Sequence, residues 1–351
     1  MRGAIKLFTV FGISINIHVT FLLLLILFLT GGVRWLFLII GVFFFVTLHE
    51  LCHSLVAVRL GIKVKEITLL PIGGIASMQT MPEKPSQEFL ISIVGPLFNL
   101  LVVIVFYYPL KSILGAEVLF HRPFSTETWP LTIAYLYWIN LILAVFNLIP
   151  AFPMDGGRVV RSLLARYLGV QKATRIAVTL GHIFALIFGY FGIMSFNIIL
   201  IAIAIFIYMA ASNEGLQVDV KETLKKYIVR DILSRDFLTL DPDTKLSKAL
   251  ELIFHSHQED FPVMDNGRMV GFITRKEIMR GMHESGMAIP VSEIMIKDFP
   301  VVADKDPLAR VQKAMEENNM RALPVMKAGK VAGVVTLEDI GRIYMIISRK
   351  G

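Results

Sequence analysis

The 351-residue chain is 55% hydrophobic and 18% charged, with a mean hydropathy of +0.66, which is too apolar for an ordinary soluble globular protein and points to a membrane. Its net charge of +7 is spread among apolar runs rather than gathered into a basic stripe with interleaved aromatics, which excludes nucleic acid as the partner and leaves membrane topology as the meaning of the charge. The one cysteine, Cys52, excludes an internal disulfide framework and any cysteine-based metal cluster.

Charged residues are scarce before Asn213 and frequent from Glu214 onward. Two regions in different solvents are therefore expected: a membrane domain over 1–211 and, after a linker at 212–226, a soluble remainder. The first apolar run, Val19 to Leu29, follows Arg2 and Lys6 and has the length of a signal-peptide core. No small-x-small cleavage site follows it, so it reads as a retained first helix, weakened by Asn16 and His18.

A span needs about 20 apolar residues to cross a hydrocarbon layer of about 30 Å. Candidates lie near 13–30, 35–58, 89–108 and 131–149. The stretch Ile176 to Ala211 would run about 54 Å as one helix, so it must fold back around Gly192 to Asn197, giving about six spans. With six, both termini share a side. One set of loops carries Arg2, Lys6, Arg59, Lys63, Lys65, Lys84, Arg158, Arg161, Arg166, Lys172 and Arg175, the other only Arg34, Lys111 and Arg122, which makes the termini cytoplasmic. Between spans two and three, Ile62 to Met78 reads as extended, with Ile62, Val64, Ile67 and Thr68 before the Pro71 and Gly73-Gly74 turn signals. It is either a hairpin at the membrane surface or a simple cytoplasmic loop.

Within the second span lies His49-Glu50-Leu51-Cys52-His53, with two histidines one helical turn apart on one face. Zinc accepts two such nitrogens, and the glutamate between them can take a proton from water activated there. By composition the H-E-x-x-H pattern would arise by chance roughly one or two times in a hundred chains of this kind. Ionisable groups inside a lipid-spanning helix are costly, which lowers that chance further. A catalytic zinc site wants a third protein ligand and an open fourth position. Asp155, just beyond Asn147-Leu-Ile-Pro-Ala-Phe-Pro-Met at the same end of span four, is the candidate, with a helix N-cap as its structural alternative. His18 and His182 read as interfacial or core histidines.

These residues resemble the site-2 protease family of intramembrane metalloproteases, in which H-E-x-x-H on one helix is completed by an aspartate in N-x-x-P-x-x-P-x-D-G on another. Asn147, Pro150, Pro153, Asp155 and Gly156 match that second pattern. The resemblance implies one zinc ion per chain held by His49, His53 and Asp155, Glu50 as general base, and a membrane-spanning protein as substrate. It also suggests Asn147 as an oxyanion donor, against an interhelical hydrogen bond as the alternative. Gly95, Pro96 and Asn99 are similar to the family as well, and are read as packing.

Beyond the linker, residues 229–280 repeat at 291–342 without a gap. Asp236-Phe237 falls on Asp298-Phe299, Pro262-Val263-Met264 on Pro324-Val325-Met326, Gly267 on Gly329 and Thr274 on Thr336. Each unit reads as strand, amphipathic helix, strand, turn, strand and closing helix. The tandem resembles a pair of cystathionine-β-synthase (CBS) domains, here 227–283 and 289–347, a module that often binds adenine nucleotides (ATP, ADP or AMP) and can assemble into oligomers, with a structural tandem that binds no nucleotide as the alternative. The nucleotide pattern G-x-x-T-x-x-D corresponds to Thr274 with Glu277 and to Thr336 with Asp339, the glutamate being a departure. The expected architecture is a polytopic α-helical membrane protein, with or without a surface β-hairpin, followed by a soluble α/β CBS module. The expected setting is the cell membrane of a prokaryote, with the CBS pair in the cytoplasm. Two other readings use the same features: a CBS-gated metal transporter or channel, which needs polar residues continuing across the bilayer, and a nonenzymatic scaffold, which has no use for Glu50.

Overall fold

The structure, a computed structural model, describes residues 3–71, 73–78, 84–121, 124–233, 236–256 and 258–348. Arg2 and Arg122 of the charge comparison, and Ile72 of the extended segment, lie outside the described residues. The chain forms two compact units, Met1–Val218 and Asp219–Gly351.

The first unit opens with two strands, β1 (Ala4–Val10) and β2 (Ile13–His18), joined by a tight turn in which Phe11 and Gly12 both take positive φ, 50° and 82°, the backbone twist that two-residue hairpins require. β2 leads directly into α1 (Val19–Leu29), where His18 caps the helix by accepting from the Thr20 N–H. After α2 (Val33–Arg59) come β3 (Val64–Leu70) and β4 (Gly73–Met78). The four strands make one sheet in the order β1-β2-β3-β4, with β2 and β3 parallel and the other pairs antiparallel.

The expected helical span over 13–30 is thus corrected to strand followed by helix. Ile13 and Ile15 point into a core with Ala57, Ile67 and Ile91, while Asn16 donates 2.6 Å to Glu66 on β3. The period-two alternation and the polar residue that weakened a helical reading are those of a half-buried strand. What remains, α1, has 11 residues and is about 16 Å long, short of a crossing by itself. It runs antiparallel along the N-terminal half of α2, since Phe21 meets Phe43 at 4.5 Å between ring centroids and Phe28 lies 6.0 Å from Trp35. The extended reading of Ile62 to Met78 becomes the β3–β4 hairpin, packed on α2.

The remaining elements are α3 (Pro85–Leu114), α4 (Ala116–His121), α5 (Trp129–Leu148), α6 (Asp155–Leu168), α7 (Val170–Met194) and α8 (Ile198–Leu224). Among the described residues, five helices, α2, α3, α5, α7 and α8, are long and apolar enough to cross a membrane. Large side chains such as Phe44, Ile104 and Leu186 stand exposed on them, the arrangement that suits lipid rather than water. α7 and α8 fold back where Asn197 accepts from the Leu200 N–H, 3.0 Å, and caps α8. α6 is amphipathic and carries a buried arginine, Arg161, which bonds Glu88 of α3 and Glu214 of α8 and lies 4.8 Å over the Phe152 ring.

In the second unit, the helix α9 (Leu246–His255), strands β5 (Phe261–Asp265) and β6 (Arg268–Ile273) and helix α10 (Arg275–Ser285) are repeated, after the two-residue strand β7 (Val302–Ala303) that precedes the second copy, as α11 (Leu308–Asn318), β8 (Ala322–Lys327), β9 (Lys330–Thr336) and α12 (Leu337–Ser348). The repetition extends to irregularities. Both hairpins bulge at the same place, Val263/Met264 and Val325/Met326, and both turn on a positive-φ residue followed by glycine, Asn266-Gly267 and Ala328-Gly329. The parallel bridge of Leu240 to Val263 matches that of Val302 to Val325.

Candidate active site

His49 and His53 occupy successive turns of α2 and are both buried, with their rings edge to face at 4.7 Å. Asp155 reaches them from the first turn of α6. Its Oδ2 lies 3.1 Å from Nε2 of His49 and 3.1 Å from Nε2 of His53, and the two nitrogens are 3.1 Å apart. The alternative role of Asp155 as a helix cap is not the one adopted, because Met154 occupies the N-cap position.

The chain between α5 and α6 is shaped to make that approach. A Cβ on Gly156 would come 2.3 Å from the Ile149 carbonyl oxygen, and one on Gly157 would come 2.5 Å from the Ala151 carbonyl carbon. The prolines break the helix, the chain folds against the start of α6, and two glycines leave it room.

The other ring nitrogens are occupied. His53 Nδ1–H donates to the Ile91 carbonyl at 2.5 Å, and His49 Nδ1–H donates to Asn99 Oδ1 at 3.1 Å, both acceptors belonging to α3. With each Nδ1 proton directed outward, both Nε2 atoms are left to offer lone pairs, and with a carboxylate oxygen they face one point. Three electron-rich atoms in that arrangement fit a cation. Their 3.1 Å separations are close to the roughly 3.3 Å between vertices of a tetrahedron whose metal bonds are about 2.0–2.1 Å. The residues present could hold a zinc ion.

Glu50, between the histidines, is half-buried, and its carboxylate comes within 4.8 Å of both imidazoles. β4 runs beside it, because a Cβ on Gly74 would meet Glu50 Cγ at 2.8 Å. Asn147 is half-buried in the last turn of α5, and it makes no hydrogen bond to another described residue. The structure thus brings His49, Glu50, His53 and Asp155 together and leaves the amide of Asn147 uncommitted.

Sequence reasoning gave Gly95 and Asn99 to packing, and here the structure differs. A Cβ on Gly95 would lie 2.3 Å from His53 Nε2 and 2.6 Å from His49 Nε2, and Asn99 is fully buried against His49. The signal available was their spacing, since Ile91, Gly95 and Asn99 recur every four residues on one face of α3.

In the second unit the two Thr-x-x-acid motifs each open a helix. Thr336 and Asp339 form a reciprocal cap: the Thr336 N–H and Oγ1 donate to Asp339 Oδ2 at 3.1 and 2.7 Å, and the Asp339 N–H donates to Thr336 Oγ1 at 3.1 Å. Thr336 also borders a cleft lined by Glu259, Asp260, Arg321, Leu337 and Glu338. Thr274 and Glu277 are buried, with the hydroxyl donating to the carboxylate. The longer acid reaches the hydroxyl rather than the backbone.

The chain is similar to known proteins over both of its units. The model of peptidase family M50 matches residues 37–128 and 112–188, and that of the CBS domain matches 229–284 and 291–345. The zinc metalloprotease MJ0392 of Methanocaldococcus jannaschii is 34% identical, over 100% of this chain and 98% of its own. The putative zinc metalloprotease Rip3 of Mycobacterium tuberculosis is 26% identical, over 98% and 93%. Among solved structures, a site-2 protease from Methanocaldococcus jannaschii is 40% identical, covering 60% of this chain and 95% of that one, with a TM-score of 0.47. The chain belongs to the M50 family of site-2 proteases and is a membrane zinc metalloendopeptidase that carries a tandem CBS pair.

Proposed function

We propose that His49, His53 and Asp155 hold one zinc ion and that Glu50 is the general base for hydrolysis of a peptide bond in or beside a transmembrane segment of another protein. The observation that carries this reading is the convergence of three lone-pair donors at 3.1 Å, with a carboxylate beside them, within helices long enough to cross a membrane. Zinc supplies Lewis acidity, acidifying water and polarising a carbonyl. Glu50 takes the proton from the attacking water and returns it to the leaving amine. Asn147, uncommitted elsewhere among the described residues, donates to the oxyanion.

A helical peptide bond is shielded by its own hydrogen bonds, so the substrate must unwind to be cut. β4 is the last strand of its sheet and passes Glu50. An open strand edge at membrane depth is tolerated where it lines a cavity, and an unwound substrate can pair with it as an added strand. The substrate reading is regulated intramembrane proteolysis, in which a tethered protein is released by a cut within the membrane.

Both termini and the CBS pair are assigned to the cytoplasm. Arg59, Lys63, Lys65, Lys84, Arg161 and Arg166 gather on the connections from α2 to α3 and from α5 to α7. β2 pairs with β3, which follows the C-terminal end of α2, so the chain has to return past α2 through β2 and α1. Those two elements together make the first crossing, one strand and one short helix. An adenine nucleotide in the Thr336 cleft, with Asp339, and at Thr274 and Glu277, would modulate the protease if its affinity differs between open and closed states.

The test is cleavage of a detergent-solubilised single-span substrate by wild type and Glu50→Gln, with bound zinc counted in each. The expected result is one zinc per chain in both and a loss of cleavage of about 10²–10⁴-fold in the variant. Equal cleavage would remove Glu50 from the reaction, and absence of zinc from both would remove the metalloprotease reading. Loss of ATP, ADP and AMP binding in wild type would remove the nucleotide.

A further inference from the structure

Helices α2 and α3 meet at the site through matched four-residue steps. On α2 the steps are His49 and His53; on α3 they are Ile91, Gly95 and Asn99. His53 is held by the backbone carbonyl of Ile91 and His49 by the side chain of Asn99, while Gly95 between them leaves the space in which the two Nε2 atoms face Asp155. We infer that Asn99 is a positioning residue for zinc: its Oδ1 accepts the His49 Nδ1 proton and so fixes the tautomer and ring orientation in which His49 Nε2 can bind the metal. This rests on the reading of His49 as a ligand.

Packing does not account for an asparagine here. Asn99 is fully buried, and its amide Nδ2 has no hydrogen-bond partner among the described residues. A buried amide with unmet donors carries a desolvation cost that a leucine of similar size would not. The oxygen of the same amide does have a partner, the imidazole nitrogen that must keep its proton if the opposite nitrogen is to offer a lone pair. The residue type is explained by its acceptor. The equivalent acceptor for His53 is a main-chain carbonyl, so Asn99 is the half of the pair that substitution can reach.

The experiment compares full-length wild type, Asn99→Leu, Asn99→Ala, Asn99→Asp and His49→Ala in detergent, reading zinc affinity by chelator competition and the absorption spectrum of the cobalt-substituted protein. Asn99→Leu is expected to fold, with an apo melting temperature at or above wild type, and to bind zinc about 10–100-fold more weakly with an altered cobalt spectrum. Asn99→Asp keeps an acceptor and is expected to stay within about threefold of wild type, as carboxylate–histidine–zinc arrangements do. A packing role predicts the reverse order, with leucine harmless and a buried carboxylate damaging. Wild-type affinity in Asn99→Leu would overturn the inference, as would an equal fall in Asn99→Asp, which cannot be rescued if the amide acts as a donor. If Asn99→Leu fails to fold, Asn99→Ala, which removes the acceptor without adding bulk, gives the same two outcomes. Unchanged zinc affinity in His49→Ala would instead overturn the ligand reading on which the inference stands.

Discussion

Gly74 of β4 lies directly over Glu50 of α2: a Cβ at Gly74 would stand 2.8 Å from Glu50 Cγ and 3.5 Å from Val46 Cγ1. The sheet therefore reaches to the depth of the proposed base, and a side chain on β4 would displace the carboxylate while leaving the histidines alone. Gly74→Val is expected to lower kcat by about 10²-fold, the usual consequence of an ångström of misplacement in a reacting group. Bound zinc should remain at the wild-type level. Loss of zinc together with activity would show that the sheet supports the histidines rather than the base.

Gly95 gives the opposite pattern. Its added methyl would meet His53 Nε2 at 2.3 Å and His49 Nε2 at 2.6 Å, and neither ring can retreat without breaking its bond to Ile91 or Asn99. Gly95→Ala should retain the fold, since alanine favours a helix over glycine, and should lose zinc affinity by at least about 10-fold. Zinc counting on the purified variant checks it. A fully zinc-loaded Gly95→Ala would mean that α3 stands further from the histidines than the structure places it.

The contrast between these two glycines and the H-E-x-x-H motif shows what the sequence could and could not reveal. His49, Glu50 and His53 are legible because their geometry follows from spacing within one helix, and Asp155 because two prolines and two glycines mark where the chain must bend toward it. Gly74, Gly95 and Asn99 act through elements that meet them across long stretches of chain, and a glycine or asparagine in an apolar run is also what packing requires. The strand at the start of the β2–α1 segment escaped for the same reason. Ile13 to Leu29 is mostly apolar and long enough for a helix, and what makes its first six residues a strand is a parallel partner about fifty positions away, with Asn16 bonded to Glu66. The CBS repeat was legible down to its hairpin turns because two copies in one chain supply their own comparison.

Arg161 is the charged pin of the membrane unit. Its side chain is 8% exposed and its partners Glu88 and Glu214 are 13% and 14% exposed. Removing one member of a buried, bonded ion cluster leaves the others uncompensated, so Arg161→Met should destabilise by about 3–5 kcal/mol. Thermal unfolding in detergent reads this as a lower melting temperature. Adding Glu88→Gln and Glu214→Gln to the variant should recover much of the loss, because the damage lies in the stranded charges. Since Arg161 also covers Phe152, three residues before Asp155, zinc affinity should fall with it.

In the CBS pair, Asp260 should make stability depend on pH in an unusual direction. Burial pushes its carboxyl up to about 6, reinforced by Glu259 and Glu277 and opposed by the N–H of Arg275 and by Arg321, against about 3.9 in an unfolded chain. Between those values the folded module keeps a proton that the unfolded chain has released, so this group's contribution to stability declines as pH rises from about 4 to about 6. Above that window the ionised, buried carboxylate costs on the order of 3 kcal/mol. Asn at this position can still accept from the Arg275 N–H and carries no charge. Asp260→Asn should therefore match wild type near pH 4 and unfold at a higher temperature near pH 7.5, as measured on the unfolding of the CBS unit within the full-length protein. Because Asp260 lines the cleft beside Thr336, an anionic ligand there would oppose its ionisation, and binding of ATP should weaken across the same pH window in wild type but not in the variant. A wild-type-minus-variant difference that stays flat with pH would mean that Asp260 is hydrated in the folded module and titrates as an ordinary surface acid.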